Sequence, residues 1–359
     1  MNTVKILIIL AFVGFAALLA LIYWPKAPST GQTSAPAAKE GTVATSIAPV
    51  AAAKPKPFSP VRLLAFGDLL LDRYIKRAID NNDWDYPLKN LKEFLAGHDL
   101  VLANLEGSFT DFKPKPLDPN NTSFTFDPKL VAILNDYGFN ILNLANNHVR
   151  DFGAEGFTQS QTYLDAANIS HFGDYYNEGA PLIKDVNGVK IAFVAYNEFG
   201  DASVDKTVAK IKDVRANVDR VVVYTHWGIE YQTQFSIGQQ AKAHQLVDAG
   251  ADVVLGSHPH VIQPIEIYNN KPIFYSLGNF LFDQIFSENV THGLAVDINF
   301  GETQTEYGLR ITEMNKMQVS LAGDEVSKKF LTRISQNSVA PENIKTQISA
   351  GKFSLPVAR

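Results

Sequence analysis

The segment GSHPHVIQ (residues 256–263) places two histidines one residue apart, directly after the apolar run 251–255. In an extended segment, residues i and i+2 point to the same side, so His258 and His260 are expected to face together. Pro259 fixes its own φ and biases the residue before it toward extended backbone. Two imidazoles held toward one point indicate a metal site. The alternative is a stiff turn that contains one hydrogen-bonded histidine.

Ligand-type side chains also stand directly after most of the other short apolar runs, which we interpret as strands. A single polar residue at the end of a strand is commonly a turn or a cap. Several of them at the same end indicate a site, because α/β sheets bind ligands at the carboxyl ends of their strands. The predicted strands cover residues 62–66, 99–103, 140–145, 190–195, 220–225, 252–255 and 272–277.

The residue types at these strand ends favour divalent transition metals. Asp68 and Glu106 offer carboxylates, Asn147 an amide oxygen and His226 a further imidazole. Together with the two histidines of GSHPHVIQ they fit a pair of borderline ions such as Mn²⁺, Zn²⁺ or Fe²⁺. Ca²⁺ is not favoured, because it takes oxygen ligands. Two such ions would hold a phosphoryl or carbonyl oxygen and generate a hydroxide nucleophile.

His148 is the candidate for proton transfer. It follows Asn147 directly, so the two side chains point in different directions and His148 is expected to face the substrate. As an imidazolium it could protonate a leaving group. Asp151, three residues further on, could orient the ring. The alternatives are a structural hydrogen bond for His148 and a helix cap for Asp151.

Two further residues are candidates for substrate binding. Arg73 could hold a phosphate or carboxylate with two parallel hydrogen bonds, and the alternative is a charge on a helix surface. Asn279, at the exit of the last predicted strand, is the second candidate. Glu230 and Asp283 could orient ligand histidines, or they could lie on the surface.

Short apolar runs that alternate with amphipathic stretches predict an α/β fold. The chain has 359 residues, of which 46% are hydrophobic, enough for a substantial core. The clearest helix covers 236–250, where Ser236 and Gln239 form a capping-box pattern. A second helix is predicted over 127–138, with Asp127 as its cap.

The N-terminus predicts a membrane anchor. Residues 6–24 form an uncharged apolar run of nineteen residues, which as a helix would span about 29 Å, close to the hydrocarbon thickness of a bilayer. We therefore expect an anchor over 1–26, a disordered Pro/Ala/Ser-rich linker over 27–60, and a single-pass protein of the cell membrane with its main domain extracytoplasmic. The alternative is a cleaved signal peptide.

Composition narrows the classes of function. The chain contains no cysteine, so disulfides and thiolate metal sites are excluded. Residues 1–60 carry five Lys and one Glu, so the rest of the chain has a net charge of −9 against −5 for the whole. A body this acidic is a poor non-specific binder of polyanions, and we expect no nucleic-acid partner.

A series of motifs within residues 61–285 resembles the bacterial CapA family, which is associated with poly-γ-glutamate capsule synthesis. More distantly, the series resembles the calcineurin-like metallophosphoesterases. The resemblance is carried, in chain order, by GDLLLDR, ANLEG, TSFTFDP, LANNHVRDFG, THWGIEY, HQLVDAGADVVLGSHPHVIQ and PIFYSLGNFLFDQ.

The resemblance implies a four-layer α-β-β-α sandwich of the metallophosphoesterase type over residues 61–300, with 301–359 as a C-terminal extension. It also implies a division of the ligands between two ions. One ion would be held by Asp68, Glu106 and His260. The other would be held by Glu106, Asn147, His226 and His258.

The chain departs from the usual phosphoesterase pattern at two places. Leu70 stands where that pattern has a histidine two residues after the first aspartate, so one site lacks a nitrogen ligand. The bridging carboxylate is Glu106 rather than an aspartate. Both differences weaken the expectation of ordinary phosphodiesterase chemistry.

Two hypotheses about function follow. In the first, the domain binds two divalent ions and hydrolyses or transfers an ester or amide bond in a cell-surface anionic polymer or its precursor. In the second, the domain is a non-catalytic accessory subunit of a membrane polymer synthase, and its metals are structural or vestigial.

Overall fold

The computed structural model describes residues 58–113 and 122–357, which form strands and helices in frequent alternation. The strands are β1 (Val61–Leu69), β2 (Leu100–Leu105), β3 (Ser108–Phe109), β4 (Thr125–Phe126), β5 (Ile141–Asn143), β6 (Ser170–Phe172), β7 (Leu182–Val186), β8 (Val189–Asn197), β9 (Arg220–His226), β10 (Val253–Ser257), β11 (Ile265–Tyr268), β12 (Lys271–Phe274), β13 (Asn279–Leu281), β14 (His292–Phe300), β15 (Gln304–Asn315), β16 (Gln318–Leu321) and β17 (Lys352–Pro356). The helices are α1 (Arg73–Asn81), α2 (Lys92–Leu95), α3 (Val131–Asp136), α4 (Gly153–Ala166), α5 (Asp205–Arg215), α6 (Ile237–Asp248), α7 (Asp324–Asn337) and α8 (Glu342–Ser349).

The larger sheet has the strand order β16-β15-β14-β1-β2-β5-β6, with β13 beside β1 and β17 beside β15. Strands β1, β2, β5, β6 and β13 run parallel, whereas β14 to β17 are joined by antiparallel pairs. The carboxyl ends of the parallel strands therefore meet at one edge of this sheet. The residues after 300 continue the sheet through β15, β16 and β17.

The smaller sheet has the order β11-β12-β10-β9-β8-β7. Its inner strands β8, β9, β10 and β12 are parallel, and the edge strands β7 and β11 pair antiparallel with their neighbours. Strands β9 and β10 are buried along their whole length. This explains why the sequences of β9 and β10 are continuous apolar runs without alternation of apolar and polar residues.

The two sheets share one core, and helices cover their outer faces. Along β1, Leu63 points into the core between the sheets and Leu64 into the core under α1 to α4, as the period of two along a strand requires. On the smaller sheet, Val222 points into the shared core and Val223 into the core under α5 and α6. The protein is thus an α/β structure, as predicted.

The predicted helix starts are confirmed. Ser236 and Gln239 make both hydrogen bonds of a capping box at the start of α6. The Asp127 side chain accepts a hydrogen bond from the Lys129 amide at the start of a short 3₁₀ turn that leads into α3. Each cap satisfies amides that have no partner inside the helix.

The prediction of a single-pass membrane protein does not hold. Within residues 58–113 and 122–357, no helix is long and apolar enough to cross a bilayer. The predicted anchor (1–26) and most of the predicted linker (27–60) lie outside the described residues.

Candidate metal centre

The carboxyl ends of both sheets bring the predicted ligands to one place. Asp68 lies near the end of β1, and Glu106 follows β2 directly. From the smaller sheet, His226 ends β9 and pairs in register with Ser257 at the end of β10. His258 comes next in the chain, so ligand-type residues from both sheets border one site.

Asp68, Glu106 and His260 form a buried group whose potential ligand atoms all lie within 4.8 Å of one another. His260 Nδ1 is 3.2 Å from Asp68 Oδ2, and His260 Nε2 is 3.6 Å from Glu106 Oε1. Glu106 Oε1 is buried and accepts no hydrogen bond. A buried carboxylate oxygen without a partner is costly, so this atom fits a cation.

Asn147, His226 and His258 form a second group beside the first. His226 Nε2 lies 2.8 Å from Asn147 Oδ1, and the rings of His226 and His258 have centroids 4.8 Å apart. His258 Nδ1 is buried and has no hydrogen-bond partner. The group therefore offers a second unsatisfied ligand atom.

His226 has polar partners at both ring nitrogens. Ser257 Oγ donates to Thr225 O over 3.1 Å and lies 3.0 Å from His226 Nδ1. Asn104 Nδ2, which can only donate, lies 3.3 Å from the same nitrogen. These two partners make opposite demands on Nδ1, so they do not fix the tautomer of the ring. The nitrogen that faces Asn147 Oδ1, at 2.8 Å, is Nε2.

Burial and neighbouring charges shift the pKa values of the two carboxyl groups in opposite directions. Burial acts to raise the pKa of Asp68, but the hydrogen bond with His260 and the nearby imidazoles outweigh it and bring the pKa below its usual value. Burial, followed by the charge of Asp68, raises the pKa of Glu106 well above its usual value of 4.5. In the metal-free protein, Asp68 therefore ionises first and Glu106 retains its proton to higher pH.

Burial favours the neutral form of the His226 and His258 imidazoles. Burial, followed by the proximity of His258, lowers the pKa of His226 well below 6.5. Burial, followed by the proximity of His260, lowers the pKa of His258 to about 3. Neutral imidazole is the form that binds metals, so these rings need not lose a proton first.

The backbone of the histidine segment is not extended, and that prediction was wrong. His258 has φ 93° and His260 has φ 59°, both in the left-handed region. Such conformations cost of order 1–3 kcal/mol each and persist only where the surroundings impose them. Here the His258 amide donates to Asp68 Oδ2, and Pro259 O accepts from the Tyr231 amide. The two rings converge through a constrained turn, not through strand alternation.

His148 and Asp151 form a hydrogen-bonded pair at the entrance of the site. His148 Nδ1 is 2.9 Å from Asp151 Oδ2, which also accepts from the Phe124 amide over 2.8 Å. His148 Nε2 lies 3.9 Å from Glu106 Oε1. Because a carboxylate only accepts, Nδ1 carries the proton in the neutral ring and Nε2 faces the carboxylate group of the site.

A cavity of about 380 Å³ opens onto these residues. Glu106, His148 and His260 form part of its wall, and aromatic side chains form much of the rest. The remaining lining residues are Arg73, Tyr74, Thr122, Phe124, Glu230, Tyr231, Phe282, Asp283, Gln284, Ile285 and Phe286.

A family model described as "Bacterial capsule synthesis protein PGA_cap" matches residues 62–284. The chain belongs to the PGA_cap family. The match includes every residue that the sequence assigned to the site, from Asp68 to Asn279.

Relatives agree with this membership. The chain is 32% identical to the capsule biosynthesis protein CapA of Bacillus anthracis, over 66% of this chain and 63% of that protein. It is 29% identical to a Mycobacterium tuberculosis protein named "Probable polyglutamine synthesis accessory protein", over 56% of this chain and 60% of that protein. The chain therefore spans less than two thirds of the length of these curated relatives.

Among solved structures, the protein is similar to a phosphatase from Mycoplasma pneumoniae. The identity is 13% and the TM-score 0.39, over 73% of this chain and 91% of the other. At this level the similarity carries no argument about function.

The two predicted substrate-binding residues have different surroundings. Arg73 lines the cavity, is paired with Asp283, and packs over the Phe124 ring at 4.7 Å. Asn279 is 3% exposed and contacts His260, with Asn279 Oδ1 2.8 Å from His260 Nδ1. Substrate binding by either residue stays a prediction.

Sequence reasoning missed a set of buried asparagines that hold Asp68. Asn104 Nδ2 donates to Asp68 Oδ1 over 2.8 Å. Asn104 Oδ1 in turn accepts from Asn143 Nδ2 over 2.9 Å and from Asn146 Nδ2 over 3.1 Å. The available signal was an asparagine near the end of successive apolar runs, in LVLAN, ILN and LAN.

Leu70, which stands where the resemblance implied a histidine, has apolar surroundings. Leu70 is fully buried in the core under the helices, and its amide donates to Leu281 O over 2.8 Å. Its side chain belongs to the core on the outer face of the larger sheet. Position 70 therefore offers no nitrogen to the Asp68, Glu106 and His260 group.

Proposed function

We propose that this PGA_cap protein acts in capsule poly-γ-glutamate synthesis as a metal-dependent hydrolase or transferase. Its substrate would be an ester or amide bond in an anionic polymer or its precursor. Support for the biological role comes from family membership and from the relatives named for capsule biosynthesis. Support for the chemistry comes from the buried donor set and the histidine beside it.

The architecture that we propose is the four-layer sandwich of the metallophosphoesterases. Its support is the shared core between the two sheets, with separate helix-covered cores outside each sheet. A site at the carboxyl ends of the parallel strands agrees with the general behaviour of α/β sheets.

The residues fit two divalent ions. Asp68, Glu106 and His260 would hold one, and Glu106, Asn147, His226 and His258 the other, with Glu106 shared. When bound, the ions would polarise a phosphoryl or carbonyl oxygen and lower the pKa of a bound water. Mn²⁺, Zn²⁺ and Fe²⁺ all suit a mixed imidazole and carboxylate set.

His148 would deliver the proton to the leaving group. Asp151 holds its Nδ1–H at 2.9 Å, which fixes the ring so that Nε2 faces Glu106. The ring packs against Phe124, with centroids 4.2 Å apart, and this contact limits its rotation. Arg73, fixed by Asp283 at the cavity wall, would bind a carboxylate or phosphate of the substrate.

The observation that carries the proposal is Glu106 Oε1. This carboxylate oxygen is buried, has no hydrogen-bond partner, and lies within 4 Å of nitrogens from both His148 and His260. Most buried polar atoms have a hydrogen-bond partner, so an unsatisfied carboxylate oxygen beside two imidazoles supports a cation site.

The test is metal content together with turnover. The purified full-length protein is analysed by elemental mass spectrometry and then assayed on p-nitrophenyl phosphate, bis-p-nitrophenyl phosphate and γ-glutamyl-p-nitroanilide. We expect two ions per chain and metal-dependent turnover of at least one probe. A protein that binds no ion after incubation with Mn²⁺ or Zn²⁺ would contradict the proposal.

The second candidate is an accessory subunit of a polymer synthase with structural metals. The apolar surroundings of Leu70 favour it, because one ligand group lacks a nitrogen. The name of the Mycobacterium tuberculosis relative agrees with it. Bound metal without turnover, and capsule formation that tolerates His148→Ala, would support this candidate over the first.

A further inference from the structure

Asn279 makes hydrogen bonds through both ends of its amide. Its Oδ1 lies 2.8 Å from His260 Nδ1. Its Nδ2 donates to Val290 O over 2.9 Å and to Gln284 Oε1 over 3.1 Å. The side chain is 3% exposed, so water does not replace these partners.

The carbonyl of Val290 decides which way the amide points. A backbone carbonyl can only accept, so the group that faces it has to be the NH₂ of Asn279. The amide oxygen must then face His260. This orientation follows from the partners and does not depend on telling oxygen from nitrogen in the side chain.

The orientation of the amide fixes the tautomer of His260. Asn279 Oδ1 accepts, so His260 Nδ1 must carry a proton. Asp68 Oδ2, at 3.2 Å from the same nitrogen, is a second acceptor and requires the same proton. In the neutral ring the lone pair is then on Nε2, which lies 3.6 Å from the unpartnered Glu106 Oε1.

We infer that Asn279 is a positioning residue that holds His260 in the Nδ1–H tautomer, so that Nε2 is the nitrogen offered to the metal. This inference rests on the proposed metal centre and gives Asn279 a role different from substrate binding. Ligand histidines commonly donate their second N–H to such a partner, and loss of the partner typically weakens metal affinity 10- to 100-fold.

The strand pairing explains why Asn279 can do this. Strand β13 runs parallel to β1, and Asn279 pairs in register with Asp68. The two residues therefore approach His260 from adjacent strands of one sheet. Gln284 continues the chain of hydrogen bonds outward, because its Nε2 donates to Tyr231 Oη over 3.0 Å at the cavity wall.

The first test uses the unaltered protein. Full-length protein with ¹⁵N-labelled histidine is freed of metal by chelation, and long-range ¹⁵N–¹H spectra report the tautomer of each ring. The signal of His260 is identified by its loss in His260→Gln. We expect His260 to be protonated at Nδ1. Protonation at Nε2 would overturn the inference without any need for a variant.

The second test uses variants and Mn²⁺ affinity measured by calorimetry. Asn279→Ala removes the nearer of the two acceptors of His260 Nδ1–H and leaves only Asp68 Oδ2, so we expect a larger share of the Nε2–H tautomer at His260 and a 10- to 100-fold weaker first site. Asn279→Asp retains the acceptor and is expected to restore the Nδ1–H tautomer. Asn90→Ala is the matched control and should change neither readout, because Asn90 is exposed and its side chain donates to Gln318 Oε1, outside the site.

Three outcomes separate the inference from the proposed function. Native tautomer and native Mn²⁺ affinity in Asn279→Ala overturn the inference, and a raised KM in that variant would return Asn279 to substrate binding. If Asn279→Ala does not fold, the tautomers of the unaltered protein and of Asn279→Asp decide. If the unaltered protein has the Nδ1–H tautomer but binds no Mn²⁺, the metal centre fails and the positioning of His260 stands.

Discussion

His148 is held on one side by Asp151, at 2.9 Å from Nδ1, and presents its other nitrogen at 3.9 Å from Glu106 Oε1. A ring fixed in this way can hold a proton on Nε2, which faces the cavity, while Nδ1 is held by Asp151. The neighbouring residue Asn147 contacts His226, whereas His148 lines the cavity.

Removal of His148 should abolish turnover and leave metal binding intact. General acid catalysis contributes typically 10²- to 10⁴-fold, so His148→Ala is expected to lower kcat by about that factor. Elemental analysis should still find the full metal content. Asp151→Asn should lower kcat less and alter its pH profile, because the ring loses its orienting carboxylate. Unchanged kcat in His148→Ala would exclude His148 as the proton donor.

The shared position of Glu106 predicts unequal effects of ligand substitutions. Glu106→Gln should remove both ions, because this carboxylate is assigned to both groups. His260→Gln should remove only one ion, because His258 and His226 remain. Metal per chain is measured after dialysis. His171→Ala is the control, since that ring pairs with Asp165 outside the site. Equal loss of metal in the Glu106 and His260 variants would contradict the assignment of Glu106 to both ions.

The raised pKa of Glu106 predicts how the metal-free protein responds to pH. A carboxyl group whose pKa is higher in the folded state stabilises below its unfolded pKa of about 4.5, and this contribution is lost as pH rises through the folded pKa. Burial is the main cause of the shift, followed by Asp68. In chelator, the unaltered protein should therefore lose stability relative to Glu106→Gln as pH rises above about 4.5.

The measurement for this pH effect is the urea midpoint of both proteins at several pH values. Addition of Mn²⁺ should reverse the trend in the unaltered protein, because a bound cation favours the ionised carboxylate. Glu93→Gln, at an exposed carboxylate of α2, serves as the control. Parallel curves for the unaltered protein and Glu106→Gln would show that Glu106 does not carry this pH dependence.

Gly67 allows β1 to approach β13 at the start of the site. A Cβ placed there would lie 1.8 Å from Gly278 O, a backbone atom that cannot rotate away. We expect Gly67→Ala to lower the free energy of unfolding by about 1–3 kcal/mol or more, as overpacking does, and to weaken metal binding through Asp68. Urea unfolding gives the measurement. Gly323→Ala, where a Cβ meets nothing within 4 Å, should have little effect.

The sequence predicted the α/β class, the family and the grouping of ligand-type residues at the carboxyl ends of the strands. These features depend on local periodicity and on motifs in a fixed order. All seven predicted strands exist within a few residues of the expected bounds. Asp68, Glu106 and His260 meet as the motif series implied. The four-layer architecture of the metallophosphoesterases, the two ions and the individual site roles stay predictions.

What the sequence did not predict depends on contacts between distant segments. The left-handed backbone of His258 and His260 is imposed by Asp68 and Tyr231, which come from other parts of the chain. The position of Asn279 depends on the pairing of β13 with β1. No local pattern encodes such a pairing, and the usual bias of a residue before proline pointed the other way. The single-pass membrane localisation, inferred from the N-terminal run alone, was wrong.

The place of β1 in the larger sheet has a consequence for the order in which the chain can fold. Its neighbours are β2, which follows soon after it, and β13 and β14, which are synthesised much later. A ribosome-bound chain that has not yet reached residue 300 would present one side of β1 unpaired. Such non-local pairing slows folding and leaves strand edges exposed to aggregation. Asp68 would then reach its final surroundings only after the late strands arrive, so metal capture should follow synthesis of the chain rather than accompany it.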